Sequence, residues 1–94
     1  MTLAEQRVAE EYREQGFQRF VVRHDEPNFA YPVHYHAYTL VLQVMEGELT
    51  VTMNQHETHL SAGQHAVIPA QALHRVTIGQ HGSTYIHAEK RGQD

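Results

Sequence analysis

Three histidines carry the spacing of a metal centre. His34 and His36 are two residues apart, with Tyr35 between them, and His74 opens the segment His74-Arg75-Val76-Thr77-Ile78, in which apolar and polar residues alternate. Residues two apart on a strand point to the same face. The imidazoles of His34 and His36 can therefore converge on one ion, at ring-nitrogen distances of about 2.0–2.1 Å. His74 shares a face with Val76 and Ile78, so that face is the inward one. A buried imidazole needs a partner, because an unpaired polar group in an apolar interior is costly. A metal ion is one such partner, and a hydrogen bond within the core is another.

The chain has 94 residues and nine histidines. His24, His56, His59, His65 and His81 fall near turns or at outward positions, where solvation explains them. Tyr38 keeps the parity of His36, and Leu40 keeps it in turn; on the last strand Tyr85 and His87 share a face. Tyr38, Leu40, Tyr85 and His87 are thus the candidate pocket residues. His87 would stand behind the ligands or serve as a fourth one. Arg19 and Arg23 could meet an anionic ligand, although surface ion pairs account for them equally well.

These side chains need elements to hold them. Residues 2–15 read as a helix, with Thr2 and Glu5 in a capping box, a weak stripe of Leu3, Val8 and Tyr12, and Gly16 as a left-handed stop. From residue 17 to residue 88 the chain reads as β. Strands are expected over 17–24, 38–45, 49–53, 56–60, 65–68, 74–78 and 83–88, with 29–36 extended. Turns fall at 25–28, at Asn54-Gln55 and at 61–64, and Gly47, Gly79 and Gly82 are expected to break strands. Residues 90–94 read as a loose tail. Many short strands between such turns mean an all-β sandwich or barrel, and residues 1–94 read as one domain. Thr39–Met45 is apolar on both faces, with Leu40, Leu42 and Val44 on one and Val41 and Met45 on the other. Either the helix or a second copy of the chain must cover the second face, and a homodimer is expected.

Composition removes several function classes. With no cysteine, disulfides and thiolate ligands are excluded. A net charge of −4 with seven Lys and Arg argues against a nucleic-acid surface, which needs clustered basic residues. There is no apolar run of membrane-spanning length and no apolar leader-like stretch in residues 1–15, so no membrane partner and a cytoplasmic location are expected. Ser61 and Ser83 lie in turns without a His/Asp arrangement near them in sequence, and no phosphate-binding glycine loop is present.

The spacing of the motifs resembles the cupin family. Its first motif has H-x-H, three or four residues, Glu, six residues and Gly; its second has Gly, five residues, Pro, x, Gly, two residues, His, three residues and Asn. Here His34-Tyr35-His36 runs on to Gly47, and Gly63 is followed by five residues, Pro69, and then His74. The resemblance covers residues 30–88. It implies a double-stranded β-helix, a jelly-roll barrel, following the short helix. It also implies a divalent transition metal held by His34, His36 and His74.

Three positions depart from the pattern. Thr39 or Leu40 stands where the family has its Glu, Gln71 where it has the second glycine, and Ile78 where it has Asn. Without the carboxylate the site is three neutral imidazoles, so the full charge of the ion acts on bound water or on an anionic ligand. Three protein ligands with open positions fit a catalytic site better than a closed structural one. Imidazole suits Fe, Ni, Zn and Cu alike. The reading is a metal-binding cupin acting on a small organic molecule, as a dioxygenase or an isomerase. A binding or sensor module without catalysis is the alternative.

Overall fold

The computed structural model describes residues 1–92. It opens with helix α1 (Leu3–Glu14), followed by strands β1 (Gln18–Asp25), β2 (Thr39–Met53), β3 (His56–Ser61), β4 (His65–Ile68) and β5 (His74–Lys90). All pairings are antiparallel, in the order β1-β5-β2-β3, with β4 also on β2. Together they form a β-barrel with one N-terminal helix.

The helix begins as its residues require. Thr2 N–H donates to Glu5 Oε1 at 2.7 Å and Glu5 N–H to Thr2 Oγ1 at 3.0 Å, so two donors at the helix start are satisfied reciprocally. Gly16, at φ +97°, ends it. The buried stripe is Glu5, Ala9 and Tyr12, with Val8 packed beside it. Leu3, expected in the stripe, is exposed. The turn at Asn54-Gln55 has positive φ at both residues and joins Met53 directly to His56, as a tight hairpin demands.

The expected breaks at Gly47 and between 78 and 83 are not strand ends. β2 and β5 pair on both sides of a corner, from Thr39↔Lys90 to Gly47↔Ser83 and from Leu49↔Ile78 to Met53↔His74, with register shifts between Val44 and Glu46 and between Gly47 and Leu49. The first shift adds Met45 to β2, and at the second residues 79–82 of β5 stand against Glu48 alone, so the ribbon bends there without ending. The inward set changes parity across this corner. On β2 it passes from Leu40, Leu42 and Val44 to Leu49 and Val51; all five belong to the inner core, as do Val76, Ile78 and Tyr85 of β5. Gly47 has φ +75°, and a Cβ there would collide with the carbonyl oxygen of Gly82. Two backbones touch at the corner, and only glycine fits.

The outer face of β2 is covered by the chain itself. Val41 and Ala88 are fully buried against Tyr12 and Phe17, and Tyr12 Oη donates to Gln43 Oε1 at 2.7 Å. Helix α1 is therefore the cover of this face at Val41, while Met45 stays partly exposed. Lys90, assigned to a loose tail, is the last residue of β5; residues 93 and 94 of that tail lie outside the described residues.

Candidate metal centre

His34 and His74 are brought face to face by the backbone. His34 N–H donates to the carbonyl of His74 at 3.0 Å, and His74 N–H to the carbonyl of His34 at 2.9 Å. The segment before β2 is thus no regular strand; it is tied to β5 by isolated bridges at Ala30↔Thr77 and His34↔His74. The loop before β5 is tied to the same segment, because Gln71 N–H donates to the carbonyl of His36 at 2.7 Å. Gln71 sits at φ +71°, in the left-handed region that glycine occupies without strain. The loop keeps the glycine geometry after losing the glycine.

The three side chains converge. One ring nitrogen of each of His34, His36 and His74 lies within 4.8 Å of the other two, and the ring centroids are 4.4, 4.8 and 5.3 Å apart. Hydrogen bonds fix two of the tautomers. Nδ1 of His34 contacts the carbonyl of Pro32 at 2.7 Å and Nδ1 of His74 that of Ala72 at 2.9 Å. A carbonyl only accepts, so both Nδ1 atoms carry the proton, and in the neutral rings both Nε2 atoms keep a lone pair. Such outer hydrogen bonds orient metal-ligating histidines.

His74 Nε2 is buried and has no hydrogen-bond partner. That orphaned acceptor, aimed where two more imidazoles converge, is the donor set a divalent transition ion requires. Burial, with the neighbouring histidines adding to it, holds His36 below the ordinary imidazole range, and burial does the same for His74. Both rings therefore favour the neutral, ligating form.

The remaining predicted residues divide. Leu40, Tyr85 and His87 line a cavity of about 150 Å³ together with the three histidines, Arg23, Tyr31, Leu42 and Val76. Tyr38 stacks on His36, with centroids 4.8 Å apart and planes at 25°. It supports that ring from behind and is not part of the cavity wall. The motif's Glu position, with three residues between it and His36 and six between it and Gly47, falls on Leu40 and not on Thr39. Leu40 is buried, and Thr39 pairs with Lys90; neither supplies a carboxylate, and among the described residues no Asp or Glu joins the histidine group. His87 is not one of the converging three, although its ring centroid lies 6.4 Å from that of His36. His24, His56, His59, His65 and His81 are all exposed.

The two arginines also part. Arg19 lies 3.7 Å from Glu89 and is exposed. Arg23 turns inward, its Nη2 donating to Tyr31 Oη at 3.2 Å. Tyr31 and Tyr85 donate to the same oxygen, Oδ2 of Asp25, at 2.7 and 2.6 Å. Burial, then the bond to Asp25, pushes the Tyr85 hydroxyl far above its usual range, so it remains a donor. The sequence reading did not single out Tyr31, Asp25, Leu42 or Val76. Parity along β1 was the available signal, since Arg23 and Asp25 alternate with His24.

Comparison with known proteins agrees with this geometry. A family model described as a cupin domain matches residues 21–84. A cupin-2 domain-containing protein from Shewanella frigidimarina superposes with a TM-score of 0.68 at 27% identity, over 81% of this chain and 72% of that one. A protein from Neisseria meningitidis gives 0.66 at 26% identity, over 80% and 74%. An uncharacterized conserved protein with a double-stranded β-helix domain from Klebsiella pneumoniae gives 0.68 at 25% identity, over 79% and 67%. No curated protein matches the chain.

Proposed function

We propose, for a chain that belongs to the cupin domain family, that one Fe, Ni, Zn or Cu ion is held by His34, His36 and His74 and that the loaded site acts on a small organic molecule, as a dioxygenase or an isomerase. The observation that carries this reading is the buried, unpartnered Nε2 of His74 beside two converging imidazoles. A bound divalent ion would supply Lewis acidity toward a carbonyl or anionic oxygen. The chain's own residues do the rest. Pro32 and Ala72 hold the ligand tautomers through their carbonyls. Leu40, Leu42 and Val76 line an apolar wall that limits water, and Arg23 and His87 offer polar contacts to the substrate. Three neutral protein ligands leave coordination positions open for it.

A second reading, a small-molecule binding or sensor module without catalysis, is favoured by one observation: among the described residues no carboxylate lines the cavity to serve as a general base.

Untagged protein reconstituted with each of the four metals and measured by elemental analysis tests the reading. Wild type is expected to retain about one equivalent of at least one metal, as a single three-ligand site would, and His74→Ala to retain none. Wild type without metal after reconstitution overturns it. Oxygen uptake by the loaded protein with thiols and diketones then separates an oxygenase from the other readings.

A further inference from the structure

The cavity has a second polar wall, opposite the histidine trio. Across β1 and β5, Arg23 pairs with Tyr85 and Val21 with His87. Across β2 and β5, Leu42 pairs with His87 and Val44 with Tyr85. Directly opposed residues share a face of a sheet, so Arg23 and His87 look into the same space as the three histidines.

Two groups on this wall have bonding capacity left over. His87 Nδ1 is buried with no hydrogen-bond partner. Arg23 has five N–H donors, and the structure gives it Tyr31 Oη as a hydrogen-bond partner. Among the described residues, no carboxylate lies within ion-pair distance of its guanidinium. The nearby Asp25 is occupied, since its Oδ2 accepts from both tyrosines. A guanidinium with no directly paired carboxylate, reached by Asp25 only through Tyr31 and facing three ligands that bring no negative charge, leaves a place for an anion in the cavity. The space suits a small anion: its volume of about 150 Å³ is the size that holds a benzene ring, about six non-hydrogen atoms, and its mouth is open.

We propose that the cavity is a seat for a small carboxylate, a hydroxy or oxo acid of roughly three or four carbons. Its carboxylate pairs with Arg23. Its hydroxyl or keto oxygen lies between His87 Nδ1 and the histidine trio, and its carbon chain rests on Leu40, Leu42 and Val76. The contact to the trio rests on the metal reading above; the Arg23 contact stands without it.

Calorimetric titration of zinc-loaded protein with lactate and pyruvate tests the seat, with lactamide and inorganic phosphate as the uncharged and the inorganic controls. At least one of the two acids is expected to bind saturably, with lactamide and phosphate weaker by about tenfold or more. Arg23→Gln is expected to weaken the acid by about tenfold or more at unchanged zinc content and unfolding midpoint, with Arg23→Lys in between. His87→Leu is expected to erase the preference for lactate over propionate, which lacks the extra oxygen. The proposal is overturned if neither acid binds, if Arg23→Gln binds as wild type does, if phosphate outcompetes both acids, or if Arg23→Gln sheds its zinc. If wild type takes up none of Fe, Ni, Zn and Cu, the metal reading fails by itself. The acids are then titrated into the metal-free protein, where binding that depends on Arg23 supports the seat and its absence overturns it.

Discussion

Two buried polar clusters share the inside of this barrel and are completed in different ways. Around Asp25 each side chain answers another: Tyr31 and Tyr85 donate to the carboxylate, and Arg23 donates to Tyr31. Around His74 the bonds stop halfway. The Nδ1 atoms of His34 and His74 are tied to carbonyls, while Nε2 of His74 is left without a partner. Both clusters draw on β5, which carries His74 at one end and Tyr85 beyond the corner. A network satisfied within the protein makes a core specific and rigid. A set of side chains oriented from behind and open in front is preorganised for something the chain does not supply. The contrast separates the tyrosine–carboxylate bonds around Asp25, which are closed within the protein, from the histidine group, which is left open; Arg23 stands between them, bonded to Tyr31 and lining the same cavity as the histidines.

The sharpest way to break this contrast is to add metal. Zinc at about a thousandfold above its dissociation constant should stabilise wild type by about 4 kcal/mol, read as a rise in the unfolding midpoint. His74→Leu should keep a cooperative transition and show no rise. If zinc stabilises both proteins equally, the histidine cluster is not its site.

Asp25→Asn attacks the other cluster. It removes the charged acceptor of two tyrosine hydroxyls and should cost about 1–3 kcal/mol in urea unfolding while zinc stoichiometry stays unchanged. Loss of zinc in this variant would merge the two clusters into one.

Acid should discriminate next. Burial lowers His36, His74 and His87 below 6.5 in the folded protein, so the unfolded chain binds these protons more tightly. The stability of the metal-free protein is therefore full above about pH 6.5 and falls as the pH drops through the lower folded values. His87→Gln should flatten that decline, and bound zinc should move it to lower pH. A urea midpoint that is flat between about pH 7.5 and 5 would contradict the assigned directions.

The smallest effect belongs to the outer face. Tyr12→Phe loses the bond to Gln43 and should cost about 0.5–1.5 kcal/mol, with no change in zinc binding. Light scattering on the same samples reports whether a face already covered by α1 still recruits a second copy.

Much of the fold was legible because it is written locally. The capping box at Thr2 and Glu5, the tight turn at Asn54-Gln55 and the alternation of His74, Val76 and Ile78 each depend on a few neighbouring residues. What misled was glycine. Gly47 and Gly82 read as strand ends, because a residue that favours positive φ usually marks a turn. Here they serve a corner, where two paired strands bend together and pairing resumes beyond it at Leu49↔Ile78. Leu3 misled in a similar way: its spacing fits an apolar stripe, but the face that docks is set by where Tyr12 and Val8 meet Val41 and Phe17. The pair Arg19 and Arg23 could not be separated by sequence, since both lie on β1 with the same parity. The register shift between Gln18 and Val21 separates them, leaving Arg19 exposed and Arg23 inside.

By itself the sequence determined which side chains are available to hold a metal. It has no cysteine, no carboxylate at the usual position, and three histidines whose spacing places two in the first motif and one in the second. Parity along a strand is a property of the chain alone, so the inward direction of His74 could be read from its neighbours. Only the tertiary structure decided which strands lie side by side, because register is set by pairings between residues far apart in sequence. That long-range pairing brings Arg23 of β1 and His87 of β5 into the cavity with the histidines, covers Val41 with the chain's own helix, and leaves His74 Nε2 buried and unanswered.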